Sequence, residues 1–337
     1  MGIPLTSASD LPAEFLLVAA CCRWPVSAQV SSAVAEAAAG PLDWSYFARI
    51  VARQRVAGLA ANALRAAGIA VPPGVARALA AGELAIARQN LRLAGETVRL
   101  QRAFAAAGIP APALKGISLA QLAYGSPALK HGRDIDLLVP PQHALAGMAL
   151  LENLGYSLQD PVPEMSEAQR SAFIAHGREA EFVNRGGGLR VELHWRLTDN
   201  PALLKGVDAF SPARDVPLTG GEAIRTLADD DLFAYLCVHG ASHAWSRLKW
   251  LADLDALIAA KPDAEIMRLY RHAQGRAPGF APDKRSCFAG ICSAGGCRRR
   301  SRRSWLAASV SGVWWPSRAR PWSAPMQRPS PTAVRPR

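Results

Sequence analysis

The stretch GRDIDLLVP, residues 132–140, places two carboxylates, Asp134 and Asp136, in an otherwise apolar run closed by Pro140 and Pro141. Short apolar runs bounded by proline read as strands. Side chains alternate across a strand, so Asp134 and Asp136 share one face while Ile135 and Leu137 take the other. Two carboxylates within about 7 Å repel each other. A second segment, LRVELHW at 189–195, repeats the pattern: Arg190, Glu192 and His194 on one face, Leu189, Val191, Leu193 and Trp195 on the other. If the two strands are neighbours, Glu192 joins the aspartates, and three converging carboxylates make a hard-oxygen site suited to Mg²⁺. The plainer alternatives are turn or cap aspartates and a solvated Glu192.

Upstream, LKGIS at 114–118 puts Gly116 and Ser118 at a strand-to-helix transition. Backbone N–H groups there can receive a phosphate and Lys115 can add charge, although a lysine at a strand end is commonly just exposed. A phosphate cradle, an Asp-x-Asp and a later acidic strand together suit nucleotidyl transfer with two metal ions. His194 has two readings, orienting Glu192 or packing under Trp195. His239 and His243 lie one turn apart in HGASH, which lacks the glutamate of a zinc-protease helix. They read as packing partners of Trp245 and Trp250, or as part of a helix closing over a nucleotide with His243, Lys249 or Asp253 meeting phosphate or acceptor.

The elements that must position these groups form an α+β plan. Residues 1–107 are an Ala/Leu-rich N-terminal helical segment of three or four helices. The longest spans about Pro73 to Ala107, with Leu79, Leu84, Ile86, Leu91, Leu93, Val98 and Leu100 as its core stripe. The two AAGI stretches read as helix ends at glycine. Residues 108–200 form an α/β core with a small mixed sheet. It comprises a short strand in IPAPALKG, a helix in ISLAQLAY, the DIDLLV strand, a helix from Pro141 to Gly155, a polar connection over 157–178, and a hairpin turned on Gly186–Gly188. A C-terminal helical segment covers 201–270, with helices returning from Glu222.

The formal charge of +12 over 337 residues suggests a nucleic-acid binder until it is located. Residues 271–337 hold 14 Lys plus Arg and one acid, leaving residues 1–270 with 25 basic and 26 acidic groups. The folded part is therefore near neutral, and nucleic acid is not expected as a partner except through the tail. That tail reads as a basic arm, as a flexible low-complexity segment, or, the favoured reading, as the product of a frameshift in a GC-rich gene. Cys21, Cys22 and Cys237 read as reduced core residues, and Cys287, Cys292 and Cys297 lack the spacing of a zinc knuckle. No disulfide framework, basic leader or span-length apolar stretch is evident, so a cytoplasmic protein away from the membrane is expected.

Four segments in order carry a resemblance to a known family: LKGISLAQLAYGSPALKHGRDIDLLV, LENLGY, VELHWRL and LFAYLCVHGASHAWSRLKWLADLDALI. Over about residues 15–265 the chain resembles the bacterial uncharacterised nucleotidyltransferase family of the DNA-polymerase-β-like superfamily. The resemblance implies a metal-binding pair at Asp134 and Asp136, a third acid at Glu192 and a phosphate loop at Gly116–Ser118. Lys130 stands where the superfamily usually carries an arginine, which weakens bidentate phosphate binding. The nucleotide-contacting set is then Lys115, Gly116, Ser118, Lys130, Arg133, His194 and His243. Implied with it are Mg²⁺ and a nucleoside triphosphate (ATP among the candidates), plus a small-molecule or protein hydroxyl acceptor. A degenerate, antitoxin-like nucleotide- or partner-binding protein is the alternative. On this reading Asp136→Ala abolishes transfer and spares folding, because Asp136 is taken as a surface charge.

Overall fold

The computed structural model describes residues 11–160 and 165–277. The tail beyond 277, with Cys287, Cys292 and Cys297 and the readings attached to it, lies outside the described residues. Five helices open the chain: α1 (Ala13–Cys21), α2 (Ala28–Ala38), α3 (Trp44–Gln54), α4 (Ala57–Ala66) and α5 (Pro73–Ala106). Local chemistry sets their starts. The Ser27 hydroxyl accepts from the Val30 amide (3.3 Å), and the Asp43 carboxylate accepts from the Ser45 and Tyr46 amides (2.9 Å each). Pro73 opens α5, where its missing N–H costs nothing. The break between α3 and α4 carries no glycine or proline; Arg55 makes it by turning left-handed at φ 57°. That is why the sequence suggests fewer helices than form.

Helix α5 runs 34 residues. Leu79, Ile86, Leu93 and Leu100, spaced by seven, are buried together with Val98. Leu84 and Leu91, expected in the same stripe, are 51% and 64% exposed. They sit five positions on from Leu79 and Ile86, about 140° around the helix, and so miss the core face. Both AAGI stretches do end helices, at Gly68 (φ 65°) and Gly108 (φ 70°).

The α/β core follows: α6 (Ile117–Tyr124), β1 (Asp134–Leu138), a 3-10 turn at Pro141–His143, α7 (Ala144–Asn153), β2 (Tyr156–Asp160), α8 (Glu167–His176), β3 (Glu179–Asn184) and β4 (Arg190–His194). The sheet order is β1-β4-β3-β2, with β1 and β4 parallel and the other pairs antiparallel. The expected strand in IPAPALKG does not form. Ala113 makes isolated bridges to Leu137 and Thr226, and Leu114 N donates to Asp136 O (3.1 Å). Pro110 and Pro112 lack the donors a ladder needs. The polar connection after Ser157 contains β2 and α8, the latter closed by a capping box between Ser166 and Gln169. Before the C-terminal helices a further hairpin forms, β5 (Ala213–Pro217) with β6 (Ala223–Leu227), turned on Gly220 and Gly221 at φ 92° and 82°. Residues expected to resume helix at 222 are thus a strand first. Helices α9 (Asp229–Ser242), α10 (Leu248–Ile258) and α11 (Asp263–Arg276) complete the fold, α11 continuing past 270.

Two hydrophobic cores result. Ile135, Leu137, Val191, Leu193 and Trp195 from one sheet face pack with α5 and α7 residues such as Phe104 and Met148. The other core unites α1–α4 with α6 and α9–α11, and Leu138 reaches it from the opposite sheet face. The fold is therefore a small mixed sheet flanked by helices drawn from both ends of the chain. No helix among the described residues is long and apolar enough to cross a membrane.

Candidate functional site

The parallel register of β1 and β4 sets Asp136 directly opposite Glu192, Asp134 opposite Arg190 and Leu138 opposite His194. The antiparallel hairpin then sets Glu179 opposite His194 and Glu181 opposite Glu192. Because alternation is strict, all of these polar groups share the face turned away from the α5/α7 core. Asp134, Asp136, Glu192, Glu179 and Glu181 make a dense run of negative charge. Arg190 neutralises Glu181 in an ion pair at the outer end.

Lys115 answers much of the rest. Its Nζ pairs closely with Asp136 Oδ1 and stands 3.7 Å from Glu192 Oε2 and 4.0 Å from Asp134 Oδ1. Burial alone pulls the Lys115 ammonium down, but the carboxylates, Asp136 foremost, hold its pKa well above the usual value. His194 is the second cation. Its Nδ1 lies 2.9 Å from Glu179 Oε2, while Nε2 faces Asp136 Oδ1 at 3.3 Å and Glu192 Oε2 at 3.5 Å. Burial opposes its protonation, yet hydrogen bonds to Asp136, Glu179 and Glu192 outweigh that and push its pKa up to about 10. Glu192 shows the converse: burial raises it, but the His194 hydrogen bond and the Lys115 charge bring it down to about 2.

Asp136 is 1% exposed, and its Oδ2 is buried without a hydrogen-bond partner. The residue is therefore not a surface charge, and Asp136→Ala cannot be taken to spare the fold. An unsatisfied buried carboxylate oxygen needs an explanation. Asp136, Glu192 and His194 each offer a ligand atom, and these atoms lie within 4.8 Å of one another. Two carboxylates and an imidazole that has given up its Nε2 proton are a donor set that can hold a divalent cation. Glu179 on Nδ1 fixes the imidazole so that Nε2 points to the site, as outer partners of metal-bound histidines do. Asp134, expected as a primary ligand, stands beside this group and contacts Lys115.

The other expected nucleotide contacts divide. Gly116, at φ 77°, makes the turn into α6 that only glycine takes easily. Ser118 is fully buried and its hydroxyl donates to Lys115 O (3.2 Å), so it ties the turn together rather than facing a ligand. Lys130 is spent on a buried ion pair with Asp253 (2.9 Å), whose other oxygen accepts from the Tyr124 hydroxyl (3.0 Å). It holds α10 to the core instead of presenting charge to a phosphate. Arg133 is exposed just before β1 and makes no salt bridge among the described residues.

His243 ends α9 on the surface, stacked on Trp250 (4.9 Å, 7° between planes) and edge-on to His239 (4.7 Å). One turn earlier lies Tyr235, 5.7 Å from His239. Both feel the sheet's charges: burial, then Lys115, bring His239 down to about 2, and Tyr235 is raised by burial against the pull of Lys115. Tyr235 and His239 on this face of α9 thus feel the charges of Lys115 and Asp136 without adding a charge of their own. Sequence reasoning misses Glu179 and Tyr235. Glu179 is accessible by counting pairs outward from the triglycine turn; Tyr235 gives no signal, lying beside Phe233 in the apolar run 232–238 of α9.

The model of a family described as uncharacterised nucleotidyltransferases matches residues 40–274. The chain belongs to that family. No curated protein matches it.

Proposed function

We propose that this family member is a metal-dependent nucleotidyltransferase of the DNA-polymerase-β-like kind, moving a nucleoside monophosphate from a nucleoside triphosphate to a hydroxyl acceptor. The observation that carries the reading is the convergence of Asp136, Glu192 and His194, whose ligand atoms lie within 4.8 Å of one another, on a carboxylate whose buried Oδ2 has no hydrogen-bond partner. Asp136, Glu192 and His194 would hold the cation, with Asp134 at the rim. Mg²⁺ suits the carboxylates, and Mn²⁺ tolerates the imidazole equally well. The bound cation would supply charge neutralisation at the phosphates and activation of the hydroxyl.

The chain's own residues do the positioning. Glu179 fixes His194, and the Asp136–Glu192 register fixes the carboxylates on a rigid sheet. The acceptor oxygen bonds to the α-phosphorus, the bond to the β-phosphate bridge breaks, and pyrophosphate leaves. The hydroxyl proton departs towards the open rim, where Asp134 and Glu192 remain partly exposed.

One observation favours nucleotide or partner binding without transfer: Lys115 already satisfies the three acids from within. Pyrophosphate release from ATP, GTP, CTP and UTP with Mg²⁺ or Mn²⁺ and a panel of hydroxyl acceptors separates the two. Asp136→Asn, which keeps the shape, should lower release by at least about 100-fold. Wild-type release by a folded Asp136→Asn protein would refute transfer at this site.

A further inference from the structure

Near Asp134, four basic side chains come together with no salt bridge among the described residues. Arg55 ends α3, Arg133 precedes β1, and Arg247 and Lys249 flank the start of α10. Among the described residues none of them has a carboxylate within salt-bridge distance. Their assembly is specified by buried hydrogen bonds. Gln54 Oε1 accepts from Leu248 N (2.7 Å), so the neighbouring residues Arg55 and Arg247 are brought side by side from opposite ends of the fold. Asn90 Nδ2 donates to Lys130 O (2.6 Å) and to Pro127 O, pinning the loop that delivers Arg133. Lys249 lies over the Trp250 ring at 5.4 Å.

The electrostatics agree with this placement. Arg55 is lowered by burial and then by Arg247 and Arg133, with Asp134 opposing. Lys249 is lowered to about 7, by burial first and then by Lys130, with Asp253 opposing and Lys115 and Arg55 adding to the fall. His131, in their midst, is lowered by burial and by Arg55, Lys249 and Arg133. Asp253 is already engaged by Lys130 and Tyr124. Like charges held together with only distant counter-charges, here Asp134 and Asp253, weaken a fold unless an anion fills the space.

We propose that Arg55, Arg133, Arg247 and Lys249 form the polyphosphate subsite of the donor nucleotide, beside the acidic sheet. This rests on the transferase reading for its place in the reaction, though not for the binding itself. The β- and γ-phosphates would lie across the guanidinium groups, whose planar forks suit phosphate oxygens. The neighbouring acidic group would face the α-phosphate.

Calorimetric titration of the full chain with inorganic tripolyphosphate in metal-free buffer tests the subsite alone. Wild type should bind. Arg55→Gln/Arg247→Gln should weaken binding about 100-fold, about tenfold for each guanidinium–phosphate hydrogen bond removed. Arg133→Gln, at an exposed position, should weaken it about tenfold and serves if the double variant does not fold. The tail control, Arg299→Gln/Arg300→Gln, should bind like wild type. No binding by wild type, undiminished binding by the folded Arg→Gln variants, or an equal loss in the tail control would overturn the subsite. Failure of transfer itself shows differently, as pyrophosphate release that survives Asp136→Asn.

Discussion

Replacing Lys115 by methionine asks whether the ammonium occupies the cation's place or is part of the catalytic apparatus. The Nζ stands 3.7 and 4.0 Å from Glu192 and Asp134 and closer still to Asp136. At an effective dielectric near 20, one such pair at 4 Å is worth about 4 kcal/mol of gross attraction. Desolvating the ammonium and the carboxylates takes back most of that sum. The observable loss on deleting one partner of a buried pair is about 3–5 kcal/mol. His194 still bonds Asp136 and Glu192 in the variant, which argues for the lower end, about 3 kcal/mol. For a chain of this size that lowers Tm by roughly 6–12 °C in EDTA. A divalent cation at about 100 times its Kd returns about 2.7 kcal/mol, enough to restore most of the loss. In wild type the same ion must first displace an ammonium, so its gain is smaller. Thermal unfolding of both proteins in EDTA and across a Mn²⁺ titration reads the difference. A Lys115→Met protein as stable as wild type in EDTA, or one stabilised no more than wild type by Mn²⁺, would refute the shared-site argument.

Lys130→Met should lose about 3–5 kcal/mol in urea unfolding, because Asp253 is left buried and charged, while the KM for nucleotide stays unchanged. A raised KM with little loss of stability would instead restore Lys130 as a phosphate ligand. Lys249→Met should stabilise the protein in a pH-dependent way. Its folded pKa of about 7 lies below the usual 10.5, from burial and then Lys130, so the charged form is disfavoured in the fold. The penalty is absent above about pH 10.5, grows as pH falls towards 7 and is constant below that. The variant's stability gain, followed by urea melts from pH 6 to 10.5, should therefore shrink to nothing at the alkaline end; a gain independent of pH would show that only packing had changed.

What the sequence discloses follows from which physical signals are local. Period-two alternation in DIDLLV and LRVELHW fixes which side chains share a face, and the sheet keeps it. The triglycine turn fixes the hairpin and hence the Glu179–His194 pair, which is legible by counting outward from the turn. Other elements carry no such signal. β2 (YSLQD), β5 (ARDVP) and β6 (AIRTL) are five residues each with charges or proline, too short for alternation to rise above chance. The IPAPALKG segment reads as a strand because its composition is right, while its prolines deny it a ladder. Lys130–Asp253 and Gln54–Leu248 join residues 123 and 194 positions apart, and no local pattern announces such a pair. Motif position consequently reads Lys130 as a phosphate ligand, whereas its partner makes it structural.

The arrangement of charge also explains why helices from opposite ends of the chain share one core. The sheet alone offers an acidic face answered by Lys115 and His194. The unpaired cations come from elsewhere: Arg55 from the end of α3, Arg247 and Lys249 from the start of α10. Uniting α3 with α10 through Gln54 and Leu248 is what brings a basic rim against an acidic floor. On α9, burial and then Lys115 bring His239 down to about 2, so it adds no charge to either side. A cation-bearing triphosphate has the complementary pattern, positive where the floor is negative and negative where the rim is positive. The acidic half is neutralised from within by Lys115 and His194, whereas the basic half is held in place by the Gln54–Leu248 bond between α3 and α10.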